Sequence, residues 1–252
     1  MDFNDPLTQW FFRVHANLPR QGPGSEAASL EALSHCSGLP EAPKILDVGC
    51  GPGMQTRHLA KACPQAQITA VDFYGPFLEQ LRERAALEGL DRQISTVLAD
   101  MKTLEYPPAS FDLIWCEGAA YLMGVEEALK AWRPWLRPGG ALALTEAVWF
   151  KQDPPASVQA CWAQYPEIRD LQTNLKRFDN AGFEVLHHFA LPESTWWDDY
   201  YNPLAQQLAK LQAEFGQDPL AAQVFAECQA EIECYRDYSE YYGYVFFVAR
   251  PC

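Results

Sequence analysis

The chain has 252 residues and is 48% hydrophobic, enough for one large α/β domain or a domain carrying a substantial insertion. With 33 acidic against 19 basic side chains its formal charge is −14. A surface that acidic repels nucleic-acid backbones and anionic bilayers, and no run of Lys or Arg offsets it. The expected partner is therefore a small molecule, with no nucleic acid and no membrane. No stretch reaches the ~18 consecutive apolar residues of a membrane span. The first 21 residues lack the basic leader and apolar core of a secretory signal, so a cytoplasmic location is expected. The eight cysteines are scattered without a CxxC pair or clustered histidines. No metal site is expected, and the thiols read as reduced, buried hydrophobes.

In chain order, "RQGPGS" (20–25) is a turn, and Ser25 is placed to cap a helix of about ten residues. Short apolar runs then alternate with amphipathic stretches. The runs, expected as strands, are 44–48, 67–72, 94–100, 111–117 and 141–149; the stretches, expected as helices, are 54–63, 76–88 and 124–136. In 76–88 the residues Phe77, Leu78, Leu81 and Ala85 form one face. Strand–helix–strand units of this length predict right-handed crossovers and a doubly wound parallel sheet covered on both faces. Beyond them a helix over 170–181, a stop at Gly182 and a strand over 183–191 are expected. Residues 196–238 read as mainly helical, interrupted by Pro203 and Pro219, and 242–250 as a final strand. One domain over 1–252 is expected. It comprises a helical N-terminal lid (1–43), a nucleotide-binding core (44–191), a helical insertion or cap (192–241) and the last strand (242–252).

The stretch "KILDVGCGPGMQTRHLAKA" (44–62) holds Gly49, Gly51 and Gly53, with Cys50 among them, between the first strand and the first core helix. Such a loop lets a ligand lie on bare backbone beside exposed helix N–H groups, and open α/β sheets bind ligands at that end of their strands. Dinucleotide loops read G-x-G-x-x-G. Here the order is G-x-G-x-G, and Asp47 stands two residues ahead, which suits a ligand bearing an ammonium group better than a diphosphate. Asp72 ends the second strand, where it can take both hydroxyls of a ribose. Asp100 ends the third, where it can accept from an adenine amino group beside Met101, with Phe73 the opposite wall. Three carboxylates at successive strand ends predict one cationic, adenosine-containing ligand.

These residues carry a family resemblance. "ILDVGCGPG" resembles motif I of class I S-adenosylmethionine-dependent methyltransferases, and "VDF" looks like their ribose-binding strand end. "LADMKTLEY" is similar to their adenine segment, "FDLIWCEGAAYLM" to their fourth-strand motif, and "WRPWLRPGGALALTE" to the turn and fifth strand that follow. "RQGPGS", "EGAAY", "YPEI" and "EYYGYVFFVAR" also resemble a less characterised bacterial subgroup that has no secure substrate. The resemblance, over about 44–149, implies a Rossmann-like seven-stranded sheet whose last strand is antiparallel. It also implies S-adenosyl-L-methionine as cofactor, and methyl transfer. Pro134 departs from the pattern, because the family usually has an unbroken helix there.

Glu117, at the fourth strand end, and Tyr121, four residues on, are candidates for handling the acceptor. Glu117 is expected as a general base or as a partner for a cationic amine or the sulfonium itself. Arg20 is expected near the cofactor's carboxylate, and His15 is a third catalytic candidate. Trp10, Phe11, Phe12, Trp149, Trp162, Tyr165, Trp196, Trp197, Tyr200 and Tyr201 concentrate in the segments that should cap the strand ends. They suit an aromatic ring or a cation held over π faces. The function expected is methylation of a small acceptor, an aromatic hydroxyl or an amine. The alternatives are a non-catalytic sensor of S-adenosylmethionine or S-adenosylhomocysteine and a protein or tRNA methyltransferase. An NAD oxidoreductase is disfavoured by the glycine spacing. Monomer and homodimer stay open.

Overall fold

The computed structural model describes residues 3–252; Met1 and Asp2, part of the expected N-terminal lid and of the leader comparison, lie outside the described residues. Helix α1 (Pro6–His15) starts where Asp5 accepts a hydrogen bond from the Thr8 N–H at 2.8 Å and Pro6 gives up no needed donor. Ser25 caps α2 (Glu26–Ser34) in the same way, accepting from the Ala28 N–H at 3.2 Å. The core then runs β1 (Lys44–Val48), α3 (Met54–Ala62), β2 (Gln67–Asp72), α4 (Gly75–Leu87), β3 (Ile94–Leu98), β4 (Phe111–Glu117), α5 (Val125–Trp132) and β5 (Leu136–Trp149). It continues through α6 (Ala156–Cys161), the two-residue β6 (Arg169–Asp170), α7 (Leu171–Asn180) and β7 (Phe183–Ala190). After these come α8 (Ser194–Trp196), α9 (Asn202–Phe215), α10 (Pro219–Tyr238) and β8 (Tyr242–Pro251).

The sheet order is β3-β2-β1-β4-β5-β8-β7, with β6 beside the end of β5. Strands β1 to β5 are parallel, and β8 enters antiparallel between β5 and β7. Alternation along the strands supplies two apolar layers. Leu46, Val48, Ile114, Leu142, Leu144 and Phe247 face the layer covered by α5 and α7, while Ile45, Ile68, Leu113, Trp115, Ala143 and Phe246 face α2, α3 and α4. A third core lies beyond the strand ends, where α1 packs on α9 and α10 around Val14, Trp196, Tyr201, Leu204, Phe225 and Tyr235.

The differences from expectation have local causes. Helix α5 stops at Trp132 and tightens into one 3₁₀ turn, Arg133–Trp135, because Pro134 has no N–H to continue the ladder. Strand β5 begins at Leu136, five residues early, with a register shift opposite Phe111 and Leu113. Strand β3 ends at Leu98, which leaves Asp100 to cap a short turn. Pro203 falls where a π-helical turn, Trp197–Tyr201, joins α8 to α9, and Pro219 opens α10 after the Asp218 cap, so the prolines mark the irregularities expected of this helical stretch. Cys161 of α6 and Cys234 of α10 form a disulfide, so the expectation of thiols throughout fails for this pair. Residues 73 apart in sequence meet because α6 packs against α10. Among the described residues no helix is long and apolar enough to cross a membrane.

Candidate active site

A cavity of about 350 Å³ opens at the carboxyl ends of β1, β2 and β4, and the segment from Phe11 to Pro23 closes over it. Its floor is the glycine loop. Gly49 has φ +72°, and a β-carbon there would sit 2.4 Å from that of Ala119, so the loop approaches the β4 end as only glycine allows. Gly53 serves differently. It lies outside the cavity lining, and a β-carbon on it would meet Leu81 Cδ1 at 2.2 Å; its absence seats α3 against α4.

Of the residues expected to hold a cofactor, Arg20, Gly49, Cys50, Gly51, Asp72, Phe73, Asp100, Met101 and Glu117 line this cavity. Asp47 does not. It is wholly buried behind the loop, where one carboxylate oxygen accepts from Thr56 Oγ1 at 2.6 Å and Gln55 Nε2 at 3.3 Å while Oδ1 has no partner. Burial pushes its carboxyl up to about 7, against the pull of the Thr56 hydrogen bond. Asp72 Oδ2 accepts from the Gly51 N–H at 2.8 Å and Oδ1 from the Tyr74 N–H at 2.9 Å. Both oxygens keep acceptor capacity toward the cavity, and burial raises this carboxyl too. Asp100 is exposed and accepts from the Lys102 N–H at 2.9 Å, so it caps the 3₁₀ turn while facing the cavity.

Two catalytic expectations are corrected. Both Glu117 oxygens are already engaged, which argues against its serving as a base: Oε1 accepts from Ser29 Oγ at 2.8 Å and Trp115 Nε1 at 2.9 Å, and Oε2 is ion-paired with Arg20. The carboxylate therefore braces the guanidinium of Arg20, a residue of the cavity lining whose Nη1 is buried without a partner. His15 is not among the lining residues. Its Nδ1 meets the Phe11 carbonyl at 2.8 Å, its ring stacks on Phe11 at 4.1 Å, and burial lowers its pKa to about 4. Tyr121 does line the cavity, with its ring 5.3 Å from that of Tyr165.

The fit to an adenosyl amino acid rests on these atoms. An orphaned guanidinium nitrogen at one end suits a carboxylate, and Asp72 suits vicinal hydroxyls. Phe73 and Met101 offer apolar walls beside Asp100. Residues 45–140 match a family model described as a methyltransferase domain. The chain's parallel sheet with one antiparallel strand is the fold of the class I methyltransferases. The solved S-adenosylmethionine-dependent methyltransferase of Geobacter sulfurreducens, in complex with S-adenosyl-L-homocysteine, has the same fold. It superposes with a TM-score of 0.84 at 22% identity, over 97% of this chain and 98% of that one. Sterol 24-C-methyltransferase erg6 of Aspergillus fumigatus is 28% identical over 190 residues, 69% of this chain and 48% of its own. The malonyl-[acyl-carrier protein] O-methyltransferase of Pseudescherichia vulneris is 34% identical over 132 residues, 52% of this chain and 47% of its own. The chain thus spans about half the length of the curated relatives it matches.

In and around the cavity, several residues escaped sequence reasoning. Gln55 ties the glycine loop to Asp47 through the Cys50 carbonyl at 3.0 Å, and Ser29 reaches Glu117 from α2. Gln21 holds the His15 carbonyl at 3.0 Å. Gln21 falls in "RQGPGS" and Gln55 in the 44–62 stretch, but the partner each side chain takes is found only when the chain folds. Away from the cavity lining, Glu31, His35 and His187 bring ligand atoms within 4.8 Å of one another between α2 and the edge strand β7.

Proposed function

We propose that this chain transfers a methyl group from S-adenosyl-L-methionine to a small acceptor, an aromatic hydroxyl or an amine. The observation that carries the reading is a cavity lined by Asp72, Asp100 and Arg20, whose Nη1 has no partner of its own. In this reading Arg20 takes the cofactor's carboxylate, with Glu117, Ser29 and Trp115 holding the guanidinium in place. Asp72 takes the ribose hydroxyls. Phe73 and Met101 flank the adenine, and Asp100 accepts from its amino group. Asp47 acts from behind the loop, its free oxygen available to a positive charge beyond Gly49 and Gly51.

Bound cofactor would supply an activated methyl group on a sulfonium. The chain's own work is then placement and the exclusion of water. The N-terminal segment covers the cavity, and Tyr121 forms part of its wall. Sterol and malonyl-carrier acceptors belong to the relatives, which are longer than this chain. Isothermal titration with S-adenosylhomocysteine and S-adenosylmethionine tests the reading: saturable heat is expected for both, and none for either overturns it.

A further inference from the structure

Away from the cofactor cavity, α2 and the edge strand β7 bring three metal-ligating side chains together. Glu31 and His35 stand four residues apart at the C-terminal end of α2, so one helical turn puts both on the same face. His187 comes from β7, the last strand in the sheet order. One ligand atom from each of the three lies within 4.8 Å of the others. The rings of His35 and His187 stack with centroids 3.6 Å apart and planes 18° from parallel.

His187 reaches this face through an irregularity in its strand. Val185 pairs with Ala249 and His187 with Val248, so Leu186 is the extra residue of a β-bulge against β8. Regular alternation would put Val185 and His187 on one face of the sheet. With the bulge, Val185 packs into the layer under α5 and α7, while Phe189, two residues past His187, packs into the layer under α2, α3 and α4. The bulge therefore turns His187 toward α2. It sends His188 to the opposite face, where its ring lies 6.3 Å from that of Phe247.

The three donors are accessible and uncommitted. Glu31 is exposed and both rings are half-buried, which leaves a path from solvent. Among the described residues no hydrogen bond or ion pair engages the Glu31 carboxylate or a ring nitrogen of His35 or His187. Two imidazoles and a carboxylate are the donor set of ions such as zinc and nickel, whereas calcium and magnesium favour oxygen throughout. Tetrahedral zinc, with bonds of about 2.0–2.2 Å to these donors, holds its ligand atoms roughly 3.4 Å apart. The trio closes to that spacing when the stacked rings fan apart about χ2, a broad torsion in histidine, and the exposed Glu31 side chain swings in. The chain's formal charge of −14 favours a cation there.

We propose that Glu31, His35 and His187 form a divalent transition-metal site of zinc type that clasps α2 onto the edge of the sheet. Three protein ligands leave the fourth position to water. The clasp falls next to Ser29, the residue by which α2 holds Glu117. None of the three ligands lines the cofactor cavity, so the inference stands apart from methyl transfer.

The test uses untagged, chelator-stripped protein, titrated with zinc by calorimetry and with cobalt by absorption. One zinc per chain is expected, with a melting temperature that rises on saturation in the wild type and not in His187→Ala. Cobalt should give visible bands of a nitrogen–oxygen site without the near-ultraviolet charge-transfer band of thiolate ligation, a readout that needs no variant. His35→Ala and His187→Ala should each weaken zinc by about ten-fold or more, and His188→Ala, on the opposite face, should leave it unchanged. Magnesium should give no heat. Absence of saturable zinc binding, a thiolate band with cobalt, zinc affinity unchanged in both histidine variants, or an equal loss in His188→Ala overturns the inference.

Discussion

At the residue scale, Asp72 does two jobs with one carboxylate. It anchors the Gly51 and Tyr74 N–H groups and keeps lone pairs turned to the cavity. Asp72→Ala should therefore weaken S-adenosylhomocysteine binding by about 1.5–3 kcal/mol, the range for hydrogen bonds to a charged group. It should also lower the melting temperature, because two backbone donors lose their acceptor. Calorimetry and thermal unfolding check the pair; unchanged affinity would remove Asp72 from the ligand site. Glu117 teaches a related lesson. A carboxylate at a strand end next to the reacting centre reads in sequence as a base. Ser29, Trp115 and Arg20 turn it into a brace, and Ser29 and Arg20 lie far outside the stretch of sequence that makes it conspicuous.

At the scale of elements, the cap is the part held by long-range chemistry. Helices α6 and α10 meet through Cys161 and Cys234, which are 73 residues apart, and α1 packs on α9 and α10. Closing a loop of that length removes unfolded-chain entropy worth about 2–4 kcal/mol in typical cases. Cys161→Ser should lower stability by about that amount under oxidising conditions and make no difference under strong reductant, as measured by urea unfolding with and without dithiothreitol. Equal midpoints in oxidant would show that the pair is not bonded in solution. The core elements behave differently. The strands β1, β2 and β4 fall where alternation and turn residues place them, because each is short, apolar and bounded by Gly, Pro or Asp. The early start of β5 escapes that reasoning, since "RPGG" looks like a turn until β4 pairs with it.

Across the whole molecule, buried titratable groups couple stability to pH. Asp47 and Glu146 are pushed from ordinary values of 3.8 and 4.5 to about 7. The native state then keeps protons that the unfolded chain has lost, so their contribution to stability falls as pH rises from about 4 to 7 and levels off above. His15, lowered from 6.5 to about 4, acts in the opposite sense: its contribution falls as pH drops from about 6.5 to 4. Two carboxyls outweigh one imidazole over the shared window. The ligand-free protein should be less stable at pH 8 than at pH 6. In Asp47→Asn the decline should be shallower, with the difference between variant and wild type growing from pH 5 to 7. Denaturant unfolding across that range checks it; parallel curves would mean that Asp47 is ionised in the native state.

The amino-acid sequence by itself determined the order of core strands and helices, the glycine loop and the acidic strand ends. These depend on periodicity, φ preference and neighbours within a few residues. Tertiary structure alone decided that Glu117 holds Arg20, that His15 turns away from the cavity, and that Cys161 meets Cys234. Each of those depends on which distant helix covers a strand end, and burial and pairing are properties of that assembly rather than of any stretch of chain.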